Sequence, residues 1–456
     1  MNKREFLAMG GAVPLILAGC GGSGSGSAPV RLLNASVGYP KGLGFMDESN
    51  QAVTGVDYGK VSDYANVQAG TVDVTLTVDS GTGTPESATS ALTRTINKDT
   101  RYTLVAYGFP NELKPLLIAE STVTPDTGKA NVNALNTSVD IGAVDVYLST
   151  TKDLSVATQI ASGVQGGQQS AFTGVLAGSY YVTVVGANSI AEGISDVRFQ
   201  SPTPITLTAL QVLTIVLTPG NSGTLANAIM LTQGTQGTAT SFLNTTARVR
   251  AITATGGLPA AVAGVLPSTT TSQYSNYVVV NTGTPPTVTV SGQTVTPFMY
   301  VKDSTGAYVK DANGNLTTGA ATLEAGGDYT MMVYVDASNN AVAQLVQDNN
   351  TAPVLSQGVK YRLVNLAYNN QGLLLSMSVN AINVASLVPY GLASDYREIP
   401  TPQNVTSVAE VLNGSDVLVS HPNQQLIVGN IFTDFIVSVD PNTGVAKDIF
   451  RAASGT

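Results

Sequence analysis

A short β-prone run recurs four times along the 456-residue chain, at intervals of about a hundred residues, and constrains the fold more than any other feature. The four copies are "VRLLNAS" from Val30, "VNALNTS" from Val132, "VRAITAT" from Val249 and "YRLVNLA" from Tyr361. A chain of this length exceeds one ordinary hydrophobic core, so several domains are expected. We therefore predict four tandem repeats, over residues 30–127 (repeat 1), 128–236 (repeat 2), 237–350 (repeat 3) and 351–456 (repeat 4).

Each repeat then carries a serine, a variable residue and an aromatic residue in succession. These steps are Ser62-Asp63-Tyr64, Ser170-Ala171-Phe172, Ser275-Asn276-Tyr277 and Ser394-Asp395-Tyr396. The Ser-Asp pair suggests catalysis, but adjacent residues on a strand point to opposite faces of the sheet. Because the ring persists without a hydroxyl in Phe172, we interpret it as a packing group. The variable middle residue indicates solvent, and the shared serine indicates a hydroxyl that bonds local backbone.

Within the repeats, apolar and polar residues alternate with a period of two. In "TVDVTLTV" (residues 71–78), three valines and a leucine alternate with polar residues, which places them on one face of a strand. Turn signals such as Asn313-Gly314 and Asn413-Gly414 separate the runs, and no long segment has a convincing helical period. This pattern predicts an all-β fold of tandem immunoglobulin-like antiparallel β-sandwich domains.

The N-terminal sequence "MNKREFLAMGGAVPLILAGC" has a basic start and a short apolar stretch. The stretch is shorter than the roughly 20 residues of a spanning helix, which indicates a signal peptide over residues 1–19. Its end, Leu17-Ala18-Gly19-Cys20, resembles a bacterial lipobox, so we predict lipidation of Cys20 and a Gly/Ser tether over 20–29. The alternative is an ordinary signal peptide with a coincidental cysteine. Lys3-Arg4 leaves both the general secretory and the twin-arginine export routes open.

The scarcity of reactive residues argues against catalysis. The chain has one cysteine, one histidine and no tryptophan, and zinc sites built from cysteine and histidine clusters are excluded by count. A net charge of −9, with no basic cluster beyond the N-terminus, argues against a nucleic-acid partner. We interpret His421, in "SHPNQQ", as an exposed loop residue with a structural role. We predict no catalytic, cofactor-binding or metal-binding residues.

Two binding chemistries stay open at this stage. "DANGN", from Asp311, has the spacing that starts a calcium loop, but Leu316 stands where that loop needs glycine. An Asn-Gly hairpin turn explains the stretch better. Weak surface calcium sites stay open in similar turns at Asp303, Asp336 and Asp440. The 18 tyrosines could stack on sugars, although tyrosine at alternating strand positions is more often a packing residue.

Several stretches of the chain resemble one family. "VRLLNAS", "YGKVSDY…VQAG" and "RYTLVAYG" in repeat 1 are similar to domain of unknown function four-three-nine-seven, a β-sandwich repeat of secreted and lipid-anchored bacterial proteins. "SAFTGVLAGSYYVTV", from Ser170, resembles the central stretch of the same family. The resemblance implies a repeated β-sandwich, and it implies no catalytic residue because the family has none established.

These observations together predict a lipid-anchored protein of the cell envelope, at the outer membrane if the cell is Gram-negative. We expect a non-catalytic structural or protein-interaction array, with the membrane, envelope proteins and glycans as partners. The alternative is a carbohydrate-binding or adhesive surface protein. Tyrosines clustered in one groove would favour that alternative, whereas His421 buried against aspartate and serine in a cleft would favour an enzyme.

Overall fold

The structure is a computed structural model dominated by strands. It describes residues 26–48, 50–78, 86–109, 113–138, 140–189, 196–220, 223–234, 237–303, 307–353, 358–400, 406–425, 429–440, 442–443 and 445–452. The signal peptide and Cys20 lie outside these ranges. Within them the helical structure is one 3₁₀ turn, Leu154–Val156, and no helix has the length and apolarity that a membrane crossing requires.

The chain forms two compact units, which we call the N-terminal half and the C-terminal half. The first consists mainly of residues up to Asn244, and the second mainly of residues from Thr245 onward. Each half contains two pairs of β-sheets. Each pair encloses its own apolar core, to which both of its sheets contribute buried side chains. The all-β fold with antiparallel β-sandwiches that the sequence predicts is therefore confirmed.

The N-terminal half holds repeats 1 and 2. The strands of repeat 1 are β1 (Ser27–Asn34), β2 (Leu43–Asp47), β3 (Asn50–Val56), β4 (Ala65–Gln68), β5 (Gly70–Val78), β6 (Glu86–Ser87), β7 (Leu92–Ile96), β8 (Tyr102–Tyr107) and β9 (Lys114–Ala119). Those of repeat 2 are β10 (Lys129–Asn136), β11 (Val144–Ser149), β12 (Thr158–Val164), β13 (Gln168–Gln169), β14 (Thr173–Leu176), β15 (Gly178–Gly186), β16 (Val197–Gln200), β17 (Ile205–Leu207), β18 (Val212–Pro219) and β19 (Ala226–Thr232). β20 (Ala239–Phe242) follows residue 236, the predicted end of repeat 2, and pairs with β19 in the same sheet.

The C-terminal half holds repeats 3 and 4. The strands of repeat 3 are β21 (Thr246–Ala254), β22 (Ala260–Val262), β23 (Leu266–Thr269), β24 (Val278–Asn281), β25 (Val288–Val290), β26 (Gln293–Val295), β27 (Phe298–Tyr300), β28 (Thr318–Ala320), β29 (Asp328–Val335) and β30 (Ala341–Asp348). Those of repeat 4 are β31 (Gly358–Asn365), β32 (Leu375–Val379), β33 (Ile382–Val388), β34 (Arg397–Pro400), β35 (Thr406–Asn413), β36 (Asp416–Gln425), β37 (Ile431–Val439) and β38 (Ala446–Ala452).

The four repeats share one sheet order. In repeat 1 the first sheet runs β4-β1-β8-β9, and the second contains β3-β2-β5-β6 with β7 also beside β5. In repeat 4 the corresponding orders are β34-β31-β37-β38 and β33-β32-β35-β36. The first strand of every repeat pairs in parallel with a later strand, in the pairs β1–β8, β10–β18, β21–β29 and β31–β37. This parallel pair was not predicted, because side-chain alternation is the same in both strand directions.

The central strands of the first sheets are buried on both faces. One face contributes to the core of its own sandwich, and the other packs against the neighbouring repeat of the same half. That second layer contains Leu33, Val105, Leu135 and Val216 in the N-terminal half, and Ile252, Met332, Val364 and Phe435 in the C-terminal half. Strands covered on both sides carry near-continuous apolar runs, which explains sequences such as "YTLVAY" and "VLTIVLTP".

Candidate functional sites

The serine of each Ser-x-aromatic step is part of the scaffold. Its Oγ accepts a hydrogen bond from a backbone N–H of the first strand in every repeat. The bonds are Leu32 N to Ser62 Oγ (2.9 Å), Ala134 N to Ser170 Oγ (3.0 Å), Ala251 N to Ser275 Oγ (2.8 Å) and Leu363 N to Ser394 Oγ (3.0 Å). The middle residue of the step is exposed in all four repeats. Both interpretations, a backbone-bonding serine and a solvent-facing middle residue, agree with the structure.

The tyrosine rings of these steps pack on buried arginines of the first strands. The pairs are Arg31–Tyr64 (4.9 Å), Arg250–Tyr277 (4.7 Å) and Arg362–Tyr396 (4.6 Å), measured from the arginine Cζ to the ring centroid. A cation over an aromatic face is attracted by the ring quadrupole. In repeat 2, Asn133 takes the arginine position and Phe172 takes the tyrosine position. Repeat 2 therefore lacks both the guanidinium cation and the tyrosine hydroxyl, as expected if the arginine and the tyrosine form one structural unit.

Buried carboxylates balance these arginines. In the N-terminal half, Glu120 lies 2.9 Å from Arg31. In the C-terminal half, Asp348 lies 3.3 Å from Arg250 and 2.5 Å from Arg362. Burial raises the pKa of Asp348, but the charges of Arg362 and Arg250 outweigh it and hold that pKa below its ordinary value. These side chains are at most 3% exposed, so the clusters orient strands and present no charge to a solute.

Repeat 4 contains a different polar cluster. His421 Nε2 lies 3.1 Å from Asp448 Oδ2 and 3.3 Å from Asp434 Oδ2. One ligand-type atom from each of the three residues lies within 4.8 Å of the others. The side chain of His421 is 20% exposed, that of Asp448 is 23% exposed and that of Asp434 is fully buried. The three groups come from β36, β37 and β38, so the cluster lies where the edge strands of the two sheets of repeat 4 approach each other.

The interpretation of His421 as an exposed loop residue is wrong. His421 lies within β36, opposite Ala409 of β35, and its side chain is largely buried. Pro422 does not end the strand, because β36 is the edge strand of its sheet and proline is tolerated at an edge. Hydrogen bonds to Asp434 and Asp448 raise the pKa of His421 to about 9. Burial raises the pKa of Asp434 to about 6, against the lowering effect of His421.

Comparison among the repeats reveals how unusual this cluster is. Along the parallel pairs, Asp434 corresponds to Leu104, Ile215 and Met331, which are fully buried apolar residues of the other cores. Along β38, Asp448 corresponds to Pro115, Ala228 and Ala343. Two inner-face positions that are apolar elsewhere thus carry aspartate in repeat 4. Aspartate at the position of Asp434 is visible in the sequence once "YTL" from Tyr102, "LTI" from Leu213, "YTM" from Tyr329 and "FTD" from Phe432 are aligned.

The C-terminal half also has a groove of about 410 Å³ lined by aromatic residues. The rings of Phe298 and Tyr300 meet edge to face at 5.2 Å, and those of Tyr334 and Tyr390 do so at 5.5 Å. Phe298, Tyr300 and Tyr390 are partly exposed. Tyr300 and Tyr390 therefore lie together in one groove, which is the arrangement expected for the carbohydrate-binding alternative.

The aspartates at which weak calcium sites stayed open cap turns. The carboxylate of Asp311 accepts hydrogen bonds from the backbone N–H groups of Asn313 and Asn315. Asp336 receives the N–H groups of Ser338 and Asn340 in the same way. Asp303 and Asp440 also accept from nearby backbone N–H groups. Because these oxygens already hold the turns, the Asn-Gly turn remains the better interpretation of "DANGN".

Comparison with known proteins identifies part of the chain. No curated protein matches it. A solved structure, "The Bacillus anthracis TIE protein", is similar over 87% of this chain at 10% identity and a TM-score of 0.15, which supports no structural inference. The chain covers 66% of that protein. Residues 28–147, which include all strands of repeat 1 from Ala28 onward and β10 of repeat 2, match the family model described as Domain of unknown function (DUF4397). The family resemblance is thus confirmed for this segment.

Proposed function

We propose that the protein is a lipid-anchored array of the cell envelope, whose β-sandwich repeats hold interaction surfaces away from the membrane and perform no catalysis. The observation that carries this proposal is that the polar residues shared among the repeats have internal roles. Each shared serine binds the N–H of a first strand, and the tyrosine rings of repeats 1, 3 and 4 cover buried arginines. Residues that recur and point inward maintain a scaffold, which leaves the outer surface to vary from repeat to repeat.

Attachment through Cys20 follows from the lipobox-like sequence and from the Gly/Ser stretch after it. Each buried CH₂ of an acyl chain contributes about 0.8 kcal/mol, so one chain anchors marginally and additional chains anchor durably. The test is fractionation of bacteria that express the full-length chain after growth with labelled palmitate. Wild type should carry label and sediment with membranes, and Cys20→Ser should lose both properties. Ser23→Ala, which alters the tether alone, serves as the matched control. If Cys20→Ser sediments with membranes as wild type does, attachment through Cys20 is contradicted.

A carbohydrate-binding role is the second candidate, and the aromatic groove of the C-terminal half favours it. Partly exposed rings of Phe298 and Tyr300 offer flat apolar faces, and Asp336 and Gln371 add polar groups to the same lining. The test is glycan-array binding by the Cys20→Ser form of the full-length chain. Tyr300→Ala should abolish any glycan signal, whereas Tyr147→Ala in β11 should not change it. Equal signals from the two variants would exclude the groove as the site.

A further inference from the structure

We propose that repeat 4 contains a binding site for one divalent transition-metal ion, held by His421, Asp434 and Asp448. This site goes beyond the scaffold and anchoring roles proposed above, and it differs from the sequence-based prediction of no metal-binding residue. The proposal rests on the spacing of the three groups, on the burial of Asp434 and on the comparison among the repeats.

The distances from His421 to the two carboxylates suit a metal ion. Ligands bound about 2.0–2.2 Å from an ion, at tetrahedral or octahedral angles, lie roughly 3.0–3.5 Å from one another. The distances from His421 Nε2 to Asp448 Oδ2 and to Asp434 Oδ2 are 3.1 and 3.3 Å. A single Nε2–H can point well at one acceptor, but this nitrogen faces two carboxylate oxygens at once. An ion that displaced the Nε2 proton would bind both oxygens and the nitrogen lone pair together.

Burial supplies an independent argument. The side chain of Asp434 is fully buried, and its Oδ1 has no hydrogen-bond partner among the residues that the structure describes. A buried oxygen without a partner is costly, and His421 contacts only the Oδ2 of this carboxylate. Two carboxylates and a neutral imidazole would balance the charge of a divalent ion. The 20% and 23% exposure of His421 and Asp448 provides access for the ion and for water ligands.

The fold itself does not require these aspartates. Three other repeats build the same strand pairs with Leu104, Ile215 and Met331 at the position of Asp434. Charged residues at an inner-face position that can be apolar indicate a role other than packing. One imidazole nitrogen with two carboxylates suits Zn²⁺ and related transition metals, whereas Ca²⁺ and Mg²⁺ favour all-oxygen ligand sets.

The test uses the full-length chain with Cys20→Ser, purified without a polyhistidine tag and stripped of metal by a chelator. Isothermal titration with ZnCl₂ should give one ion per chain. His421→Gln and Asp434→Leu should each weaken binding by more than about 100-fold, beyond the 10- to 100-fold typical of losing an outer-shell partner. Asp434→Leu places in repeat 4 the residue type that repeat 1 has at Leu104, so the core can accommodate it. Asp440→Asn, in an exposed turn of the same repeat, is the matched control and should bind as wild type does.

Circular dichroism of each variant checks that the strands are retained, and thermal unfolding gives a second readout. Zn²⁺ should raise the unfolding temperature of wild type and of Asp440→Asn, and leave that of His421→Gln unchanged. The proposal is overturned if wild type binds no Zn²⁺, if the two ligand variants bind it as tightly as wild type, or if Ca²⁺ binds at the three residues in preference to Zn²⁺.

Discussion

Loss of the Asp348 carboxylate should strongly destabilise the C-terminal half. It lies 3.3 Å from Arg250 and 2.5 Å from Arg362, and all three side chains are at most 2% exposed. Asp348→Asn preserves the shape but removes the charge that both guanidinium groups face. Breaking one buried ion pair by removing a partner costs about 3–5 kcal/mol, because an uncompensated charge stays buried. For a cooperative unit of about 200 residues, at about 2–4 °C per kcal/mol, this corresponds to a fall of about 6–20 °C in unfolding temperature.

The assay for this prediction is differential scanning calorimetry of the full-length Cys20→Ser chain with and without Asp348→Asn. Asp395→Asn is the matched control, since Asp395 forms an ion pair with Lys302 at 2.8 Å but its side chain is 82% exposed. Exposed pairs contribute about 0–1 kcal/mol, so the control should shift the transition little. If Asp348→Asn shifts the transition no more than Asp395→Asn does, the buried cluster does not hold the C-terminal half together as we argue.

Three further predictions concern Ser394, the pH dependence of Asp348, and Asp434. Ser394→Ala removes the acceptor of the Leu363 N–H and should lower the free energy of unfolding by about 1–3 kcal/mol in urea titrations, with Ser394→Thr as the milder variant. The folded pKa of Asp348 lies below its ordinary value of 3.8, so its ionised form contributes stability above about pH 4. This stability is lost as the pH falls through the folded pKa, so acid unfolding of wild type should be steeper than that of Asp348→Asn. In metal-free protein, Asp434→Leu removes one carboxylate but leaves His421 paired with Asp448 at 3.1 Å, so the unfolding temperature should fall less than it does for Asp348→Asn, which breaks two buried ion pairs. An equal or larger fall would show that the Asp434 carboxylate has a structural role.

Local pattern was sufficient to predict the strands and the roles of the Ser-x-aromatic step. Alternation along "TVDVTLTV" identifies Val72, Val74 and Leu76 as core residues, and all three are buried. The roles of Ser62 and Ser394 could be inferred because the step is short and recurs, so internal comparison separates shared from variable positions. Such inferences depend on residues that are neighbours along the chain.

The arginine clusters and the His-Asp-Asp cluster depend on strand pairing, which the sequence pattern leaves undetermined. Arg31 lies beside Thr103 only because β1 and β8 run parallel, a direction that alternation cannot indicate. His421 appeared to be in a loop because a proline follows it, and its place on an edge strand explains why that proline is tolerated. Asp434 and Asp448 come from adjacent strands that pair with a register shift. They lie close to His421 only after the two sheets of the sandwich have packed together, so the sequence pattern does not predict the contact.

The central claim is that repeat 4 contains a metal site that the other three repeats lack. Its most direct test is an anomalous difference map from crystals grown with Zn²⁺, recorded at the zinc absorption edge. We predict a peak within about 2.0–2.2 Å of His421 Nε2 and of oxygens from Asp434 and Asp448, with no matching peak at the equivalent core positions of the other repeats. A map with no peak among these three side chains, from crystals whose other sites hold zinc, would contradict the account.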